Sequence, residues 1–214
     1  MVRLLLVDHQ SLVRAALKHL LVTAPDIESI AEAGSGEEAI SVARWYCPDV
    51  ILMDVTMPGI GGLEATRRLL RINARFKIIA LTVQVAGPIP LRMLEAGAIG
   101  YLTKGCTPDE VLQAIAVVQR GEQYVCAEVA QQMIKAHIGG QNSRIESLSR
   151  RELQVLIMVS QGEKNQEISE HLCLSPKTIS TYRTRLFNKL GVRSDVALAH
   201  IALRHGLLEP RSTT

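Results

Sequence analysis

The chain is short of cysteine. Its four cysteines, Cys47, Cys106, Cys126 and Cys173, follow neither a metal-ligand spacing nor a disulfide framework. They are expected to be small buried or partly buried residues, and nothing in their use indicates an oxidising compartment. Extended apolar segments are missing as well. No stretch of about 18 uncharged apolar residues occurs, so no membrane-spanning helix is expected. The first residues, Met1-Val2-Arg3-Leu4-Leu5-Leu6-Val7-Asp8, are too short an apolar run for a signal peptide, and a cytoplasmic protein is expected. Internal repeats and low-complexity tracts are also absent. What remains is an ordinary globular balance, 47% apolar and 21% charged over 214 residues, enough for one or two domains.

An excess of either charge is lacking until late in the chain. Residues 1–140 carry 13 Lys and Arg against 14 Asp and Glu, whereas residues 141–214 carry 11 against 7. A small basic unit joined to a near-neutral one points toward nucleic acid.

Up to about residue 120, apolar runs at 3–7, 27–32, 49–53, 77–81 and 99–102 alternate with helical patterns near 11–23, 36–46, 62–72, 88–96 and 107–119. This βα alternation predicts an α/β domain with a doubly wound, five-stranded parallel sheet in the order 2-1-3-4-5. Ser35 and Thr107, each followed by acids, are expected helix caps. Pro88 and Pro90 disfavour a regular start to the fourth helix, which is expected to be short or reoriented. The region 121–147 reads as a linker holding a short helix around 127–137 and the flexible stretch Gly139-Gly140-Gln141-Asn142-Ser143. From Ser149 the pattern is all-helical, with helices near 149–160, 165–172, 176–190 and 194–206, a compact bundle.

Chemistry gathers at the strand ends. Asp54 directly follows Val50-Ile51-Leu52-Met53 and precedes the Pro58-Gly59 turn, and Asp8 ends Leu4-Leu5-Leu6-Val7. Thr82 and Lys104 close two further strands. In an open parallel sheet these four residues meet at one edge. Two carboxylates and a lysine there can hold a small hard cation together with a phosphoryl group.

On these residues the segment 1–120 resembles the receiver domain of bacterial two-component response regulators, whose sheet is flavodoxin/CheY-like. The resemblance implies that Asp54 is the phospho-acceptor, that Thr82 is the switch hydroxyl, and that Lys104 pairs with the aspartyl phosphate. It also makes Tyr101 the aromatic that turns inward behind Thr82. It further implies a Mg2+ held by Asp8, Asp54 and the backbone carbonyl of Thr56, which neutralises charge during in-line attack by Asp54 on a phosphohistidine. One departure stands out. The family pattern has two adjacent acids after the first strand, and here the pair is Asp8-His9. Imidazole is a poor ligand for Mg2+. Either His9 points to solvent and Asp8 serves alone, or Mg2+ binds weakly and phosphorylation is slow or conditional.

The carboxyl-terminal unit carries its own pattern. Ser149 and Glu152 form an expected capping box, and Asn165–Leu172, the turn Cys173-Leu174-Ser175-Pro176 and the helix from Lys177 to Leu190 make a helix-turn-helix. Ile179, Tyr182, the stem of Arg183, Leu186 and Leu190 recur at helical spacing as the inner face. Ser180, Thr181 and Thr184 point away, flanked by Lys177 and Arg185. Hydroxyls of this kind read base edges, and Lys and Arg contact phosphates. The candidate DNA-binding residues are Lys177, Thr178, Ser180, Thr181, Tyr182, Arg183, Thr184, Arg185 and Lys189. Residues 148–206 resemble the LuxR-type helix-turn-helix through Leu148-Ser149-x-Arg151-Glu152, Asn165-x-Glu167-Ile168 and Lys177-Thr178-Ile179. The chain divides accordingly into a receiver at 1–120, a linker at 121–147 and a DNA-binding domain at 148–214.

The whole resembles a NarL/FixJ-type regulator, most similar to the GacA/UvrY group. The resemblance implies transcriptional control through double-stranded DNA, a sensor histidine kinase of BarA/GacS type, and a homodimer when active. Two other readings stay open. One is a constitutive DNA binder whose receiver serves dimerisation. The other is a phosphatase-like enzyme with Asp54 as nucleophile, which lacks a second acid at Thr56 and leaves the basic bundle without a task.

Overall fold

A parallel sheet covered on both faces needs strands that are apolar throughout rather than alternating, and this determines the first unit. In the computed structural model the strands Val2–Val7 (β1), Val50–Asp54 (β3), Lys77–Thr82 (β4) and Gly100–Thr103 (β5) are buried almost without interruption. The structure describes residues 1–208 except Gln84, Ala86, 139–143 and Glu146, and does not describe the side chains of 136–138. The linker stretch expected at 139–143 therefore lies outside the described residues. The chain divides into two compact units, Met1–Val85 with Pro90–Met133, and Ile134–Thr214 with Ala86–Ile89.

In the first unit Ile27–Ala33 (β2) forms one edge of the sheet, and its half-exposed pattern suits that place. The order is β2-β1-β3-β4-β5-β6, all parallel. The expected order is therefore present, but the expectation of five strands is corrected. A sixth, Tyr124–Val125 (β6), joins the far edge, where Tyr124 N–H donates to the Ile99 carbonyl at 3.0 Å and Cys126 N–H to Tyr101 at 3.0 Å. Two residues carry no periodicity, and only the free edge of β5 makes them a strand.

Between the strands run Ser11–Leu21 (α1), Gly36–Tyr46 (α2), Gly61–Ile72 (α3), Ile89–Glu95 (α4) and Pro108–Gln119 (α5). Helix α2 packs with α3, and α1 with α5, giving two helical layers around the sheet. The caps act as the side chains dictate. Ser35 accepts from Glu38 N–H, and Thr107 and Glu110 form a reciprocal capping box. Helix α4 has seven residues, short as expected, with Pro88 just before it and Pro90 in its first turn. Ala127–Ile138 (α6) follows β6. The core centres on Leu4, Leu5, Leu6, Ile51, Leu52, Ile78 and Ile79, each essentially inaccessible. Burying each such side chain stabilises the unit by about 1.5–3 kcal/mol.

The second unit holds Arg150–Ser160 (α7), Asn165–Leu172 (α8), Pro176–Leu190 (α9) and Asp195–Arg204 (α10). Helix α7 packs on α9 and α10, and α8 on α9. Its core is Leu153, Leu156, Ile168, Ile179, Leu186 and Leu198. Ser149 and Glu152 close the expected capping box on α7, and Ser175 caps α9 with Pro176 in its first turn. The cysteines differ from expectation. Only Cys126 is buried, while Cys47 and Cys173 are exposed, each in the left-handed conformation that ends a helix. Among the described residues no helix is long and apolar enough to cross a membrane.

Candidate functional site

The register carries four side chains to one edge. Val7 pairs with Met53, Asp54 with Leu81, and Thr82 with Thr103, so Asp8, Asp54, Thr82 and Lys104 leave four adjacent strands at the same level. The start of α3 locks Asp54 in place. A Cβ added to Gly62 would lie 2.1 Å from the Asp54 carbonyl oxygen, so only glycine lets the helix approach this closely.

Asp8 and Asp54 are buried, at 1% and 0% exposure. Burial of a carboxylate demands partners, and both have them. Lys104 Nζ lies 2.9 Å from Asp8 Oδ2 and 3.2 Å from Asp54 Oδ2. The other oxygens are held by backbone: Gln10 N–H donates to Asp8 Oδ1 at 2.8 Å, and Thr56 N–H to Asp54 Oδ1 at 3.0 Å. Burial, and then the charge of Asp54, push the Asp8 carboxyl above its ordinary range, against the opposing pull of Gln10 and Lys104.

His9 does not simply point to solvent. Its Nδ1 lies 2.8 Å from Asp54 Oδ2 and 3.7 Å from Asp8 Oδ1. The hydrogen bond to Asp54 raises the imidazole above its ordinary value, partly offset by burial. His9 therefore faces Asp54, unlike the expected alternative in which it points to solvent.

Thr82 is fully buried at the end of β4, and its carbonyl accepts from Lys104 N–H at 2.6 Å. Tyr101 is fully buried too, so the aromatic is already inside. Its phenol is pushed far above the usual range by burial, with the Thr82 hydroxyl easing the shift.

The donors meet Mg2+ only in part. Mg2+ wants oxygen ligands in near-octahedral array. The Asp8 and Asp54 carboxylates and the Thr56 carbonyl have the right chemistry, whereas His9 brings nitrogen to the place of a third carboxylate.

The second unit presents one face of α9. Lys177, Ser180, Thr181, Thr184 and Arg185 are exposed on it, and Thr178 is half-buried at its start. Thr181 and Thr184 hydroxyls donate back to the Lys177 and Ser180 carbonyls, which leaves their oxygens facing outward to accept. Arg185 lies over the Tyr182 ring at 5.9 Å. Ser180, Arg183 and Lys189 are tied by their side chains to other helices of the unit. Asn165 donates to Ser180 Oγ at 3.0 Å and accepts from Arg183 at 2.8 Å, and Arg183 also pairs with Asp195. Lys189 binds the buried Glu152 at 2.7 Å. Asn188, exposed one turn beyond Thr184 and absent from the expected set, shares the outward face. Its helical position, eleven residues after Lys177, was the available signal.

Comparison with known proteins fits this geometry. Residues 4–116 match the response regulator receiver domain, and residues 146–202 match the bacterial regulatory proteins of the luxR family. The chain is 48% identical to the response regulator UvrY of Escherichia coli (strain K12), over 97% of this chain and 96% of that protein. It is 47% identical to the response regulator GacA of Pseudomonas viridiflava, over 98% and 99%. Among solved structures, RcsB from Salmonella enterica serovar Typhimurium, bound to promoter rprA in the presence of a phosphomimetic, shares the fold. Its TM-score is 0.73 at 24% identity, covering 94% of this chain and 98% of that one.

Proposed function

We propose, from the premise that this chain belongs to the two-component response regulators with a receiver and a LuxR-type helix-turn-helix, that it binds DNA and controls transcription under a phosphoryl switch at Asp54. It acts as a regulator of the GacA/UvrY type rather than as an enzyme. The observation that carries the reading is the buried Asp54 carboxylate in contact with Lys104 at the strand edge, one strand from Thr82. The receiver corresponds to 1–120, the linker to 121–147 and the DNA-binding domain to 148–214.

An Asp54 carboxylate oxygen attacks the phosphorus of a phosphohistidine on a sensor kinase of BarA/GacS type. The P–O bond forms as the P–N bond breaks, and the leaving imidazole takes up a proton. Lys104 neutralises the new charge from its place between the two carboxylates, where a preorganised cation is most effective. Thr82, one strand from Asp54 at the same edge, would swing to hydrogen-bond the phosphoryl oxygens, with the buried Tyr101 behind it. Receiver domains bind Mg2+ at this acidic site, where the ion supplies charge neutralisation; here Asp8, Asp54 and the Thr56 carbonyl would hold it, weakly because of His9.

On DNA, α9 lies in the major groove. Ser180, Thr181 and Thr184, with Asn188, meet base edges, while Lys177 and Arg185 meet phosphates. Thr178 and Tyr182 border that contact, and Arg183 and Lys189 brace the helix. A homodimer on two half-sites is the active form, and the protein works in the cytoplasm. The comparisons do not favour the constitutive alternative, in which the receiver serves dimerisation; the His9 contact on Asp54 is the reason to test it.

Beryllofluoride uptake by the full chain, followed by 19F NMR alongside DNA affinity, separates the two. Uptake that tightens DNA binding supports the switch. DNA binding that is unchanged by the analogue and by Asp54→Ala sinks it.

A further inference from the structure

We infer that the pocket of Asp8, His9 and Asp54 is tuned away from Mg2+ toward a divalent first-row cation that accepts an imidazole nitrogen, with Zn2+ as the reference ion. The inference rests on the reading of this edge as the acceptor site for its role, and on the donor atoms alone for its chemistry.

One ligand atom from each of the three residues lies within 4.8 Å of the others. His9 Nδ1 lies 2.8 Å from Asp54 Oδ2 and 3.7 Å from Asp8 Oδ1. Ligands of a four-coordinate ion at about 2.0–2.1 Å sit roughly 3.3 Å apart. The two His9 distances bracket that spacing and the carboxylate pair lies within 4.8 Å, so modest side-chain shifts seat an ion. The set is also preorganised. Gln10 N–H fixes Asp8 through Oδ1, Thr56 N–H fixes Asp54 through Oδ1, and β1 and β3 fix both backbones. Lys104 draws on the Oδ2 atoms of both acids and would retain Asp8 Oδ2 when the ion takes Asp54 Oδ2.

Selectivity follows from ligand type. A third carboxylate would add charge and a hard oxygen, the two things that hold Mg2+. Imidazole adds neither, but its nitrogen binds borderline cations well. The residue after Asp8 therefore lowers Mg2+ affinity more than it lowers Zn2+ affinity. Any site favours Zn2+ to some degree, so the informative quantity is how far the preference changes when His9 is replaced.

The test titrates the full-length protein with Co2+, read by its visible absorption, and competes it with Zn2+ and with Mg2+ in the absence of any phosphoryl donor. Wild type, His9→Asp and His9→Ala are compared. The four cysteines stay unchanged in every variant, so metal bound to them cancels. In His9→Asp the Zn2+ to Mg2+ preference should fall at least about tenfold, since even the outer partners of a metal ligand shift affinity about 10–100-fold. The Co2+ spectrum should change in both variants. An equal preference and spectrum in all three proteins overturns the inference. Should His9→Asp fail to fold, an unaltered Zn2+ affinity in His9→Ala overturns it alone. Lost selectivity with beryllofluoride still taken up by Asp54 sinks only this inference, and selectivity without that uptake sinks the acceptor reading.

Discussion

The strand-edge pocket and the outward face of α9, the two sites proposed to meet phosphate, are built in opposite ways. In the pocket the carboxylates are buried: Asp8 and Asp54 are essentially inaccessible, and the nearly buried Lys104 side chain reaches both. On α9 the functional groups are exposed, and the buried polar atoms hold the helix in place. A low local dielectric makes each charge in the pocket count heavily, so adding one phosphoryl group rearranges its neighbours. An exposed face gains little from any single charge. It gains from number and from release of counterions, which suits a long polyanion. A switch must be dry, and a reader must be wet.

That contrast can be attacked in several places. The largest effect belongs to Asp54→Ala, which should abolish acid-labile phosphate and beryllofluoride uptake completely; label retained elsewhere in the receiver would displace Asp54 from its role. Next is Lys104→Met, which leaves two buried carboxylates facing each other. A loss of up to about 3–5 kcal/mol, the cost of stripping a buried charge of its partner, is expected, lessened by the His9 contact that Asp54 keeps, measured by urea denaturation of the receiver transition. A loss within noise would mean the pocket is wetter than its burial indicates.

Smaller effects test the second half of the contrast. Lys189→Ala should lower stability by about 1–2 kcal/mol through the buried Glu152, read as a lower melting temperature, while the salt dependence of DNA binding stays the same. Lys177→Ala and Arg185→Ala should do the reverse, each reducing the salt slope by about 1 with stability unaltered. Matching behaviour of all three would erase the distinction between bracing and reading residues.

The smallest effect is in pH. Burial alone would raise the Glu152 carboxyl, but hydrogen bonds from Lys189 and Ser149 hold it below its ordinary value. A depressed folded value stabilises the unit above the unfolded value of 4.5, and that stability is lost as pH falls through the depressed one. The melting difference between wild type and Glu152→Gln should therefore be full at neutral pH and shrink below about pH 4.5.

Much of the fold and of the pocket is legible in the order of residues alone. Asp54 is legible because four apolar residues precede it and a Pro-Gly turn follows. Glu152 is legible as half of a capping box, because Ser149 stands three residues before it. Tyr124–Val125 is not, because two residues have no period and the strand exists only where β5 has a free edge. His9 is legible as a departure but not as a partner of Asp54, since its contact spans 45 residues of sequence. Lys189 looks like any other surface cation on a basic helix. Only the packing of α7 on α9 brings it to Glu152.

Local sequence dictates the βα alternation, the helical bundle, the caps and the placement of Asp54 at the end of a buried strand. Each of these follows from neighbours close in the chain, where periodicity and turn chemistry operate. The packed fold selects which polar groups meet: Lys104 with both acids, His9 with Asp54, Arg183 with Asn165 and Asp195, and Lys189 with Glu152. Those pairs join distant segments, and their strength depends on burial. No local pattern encodes burial.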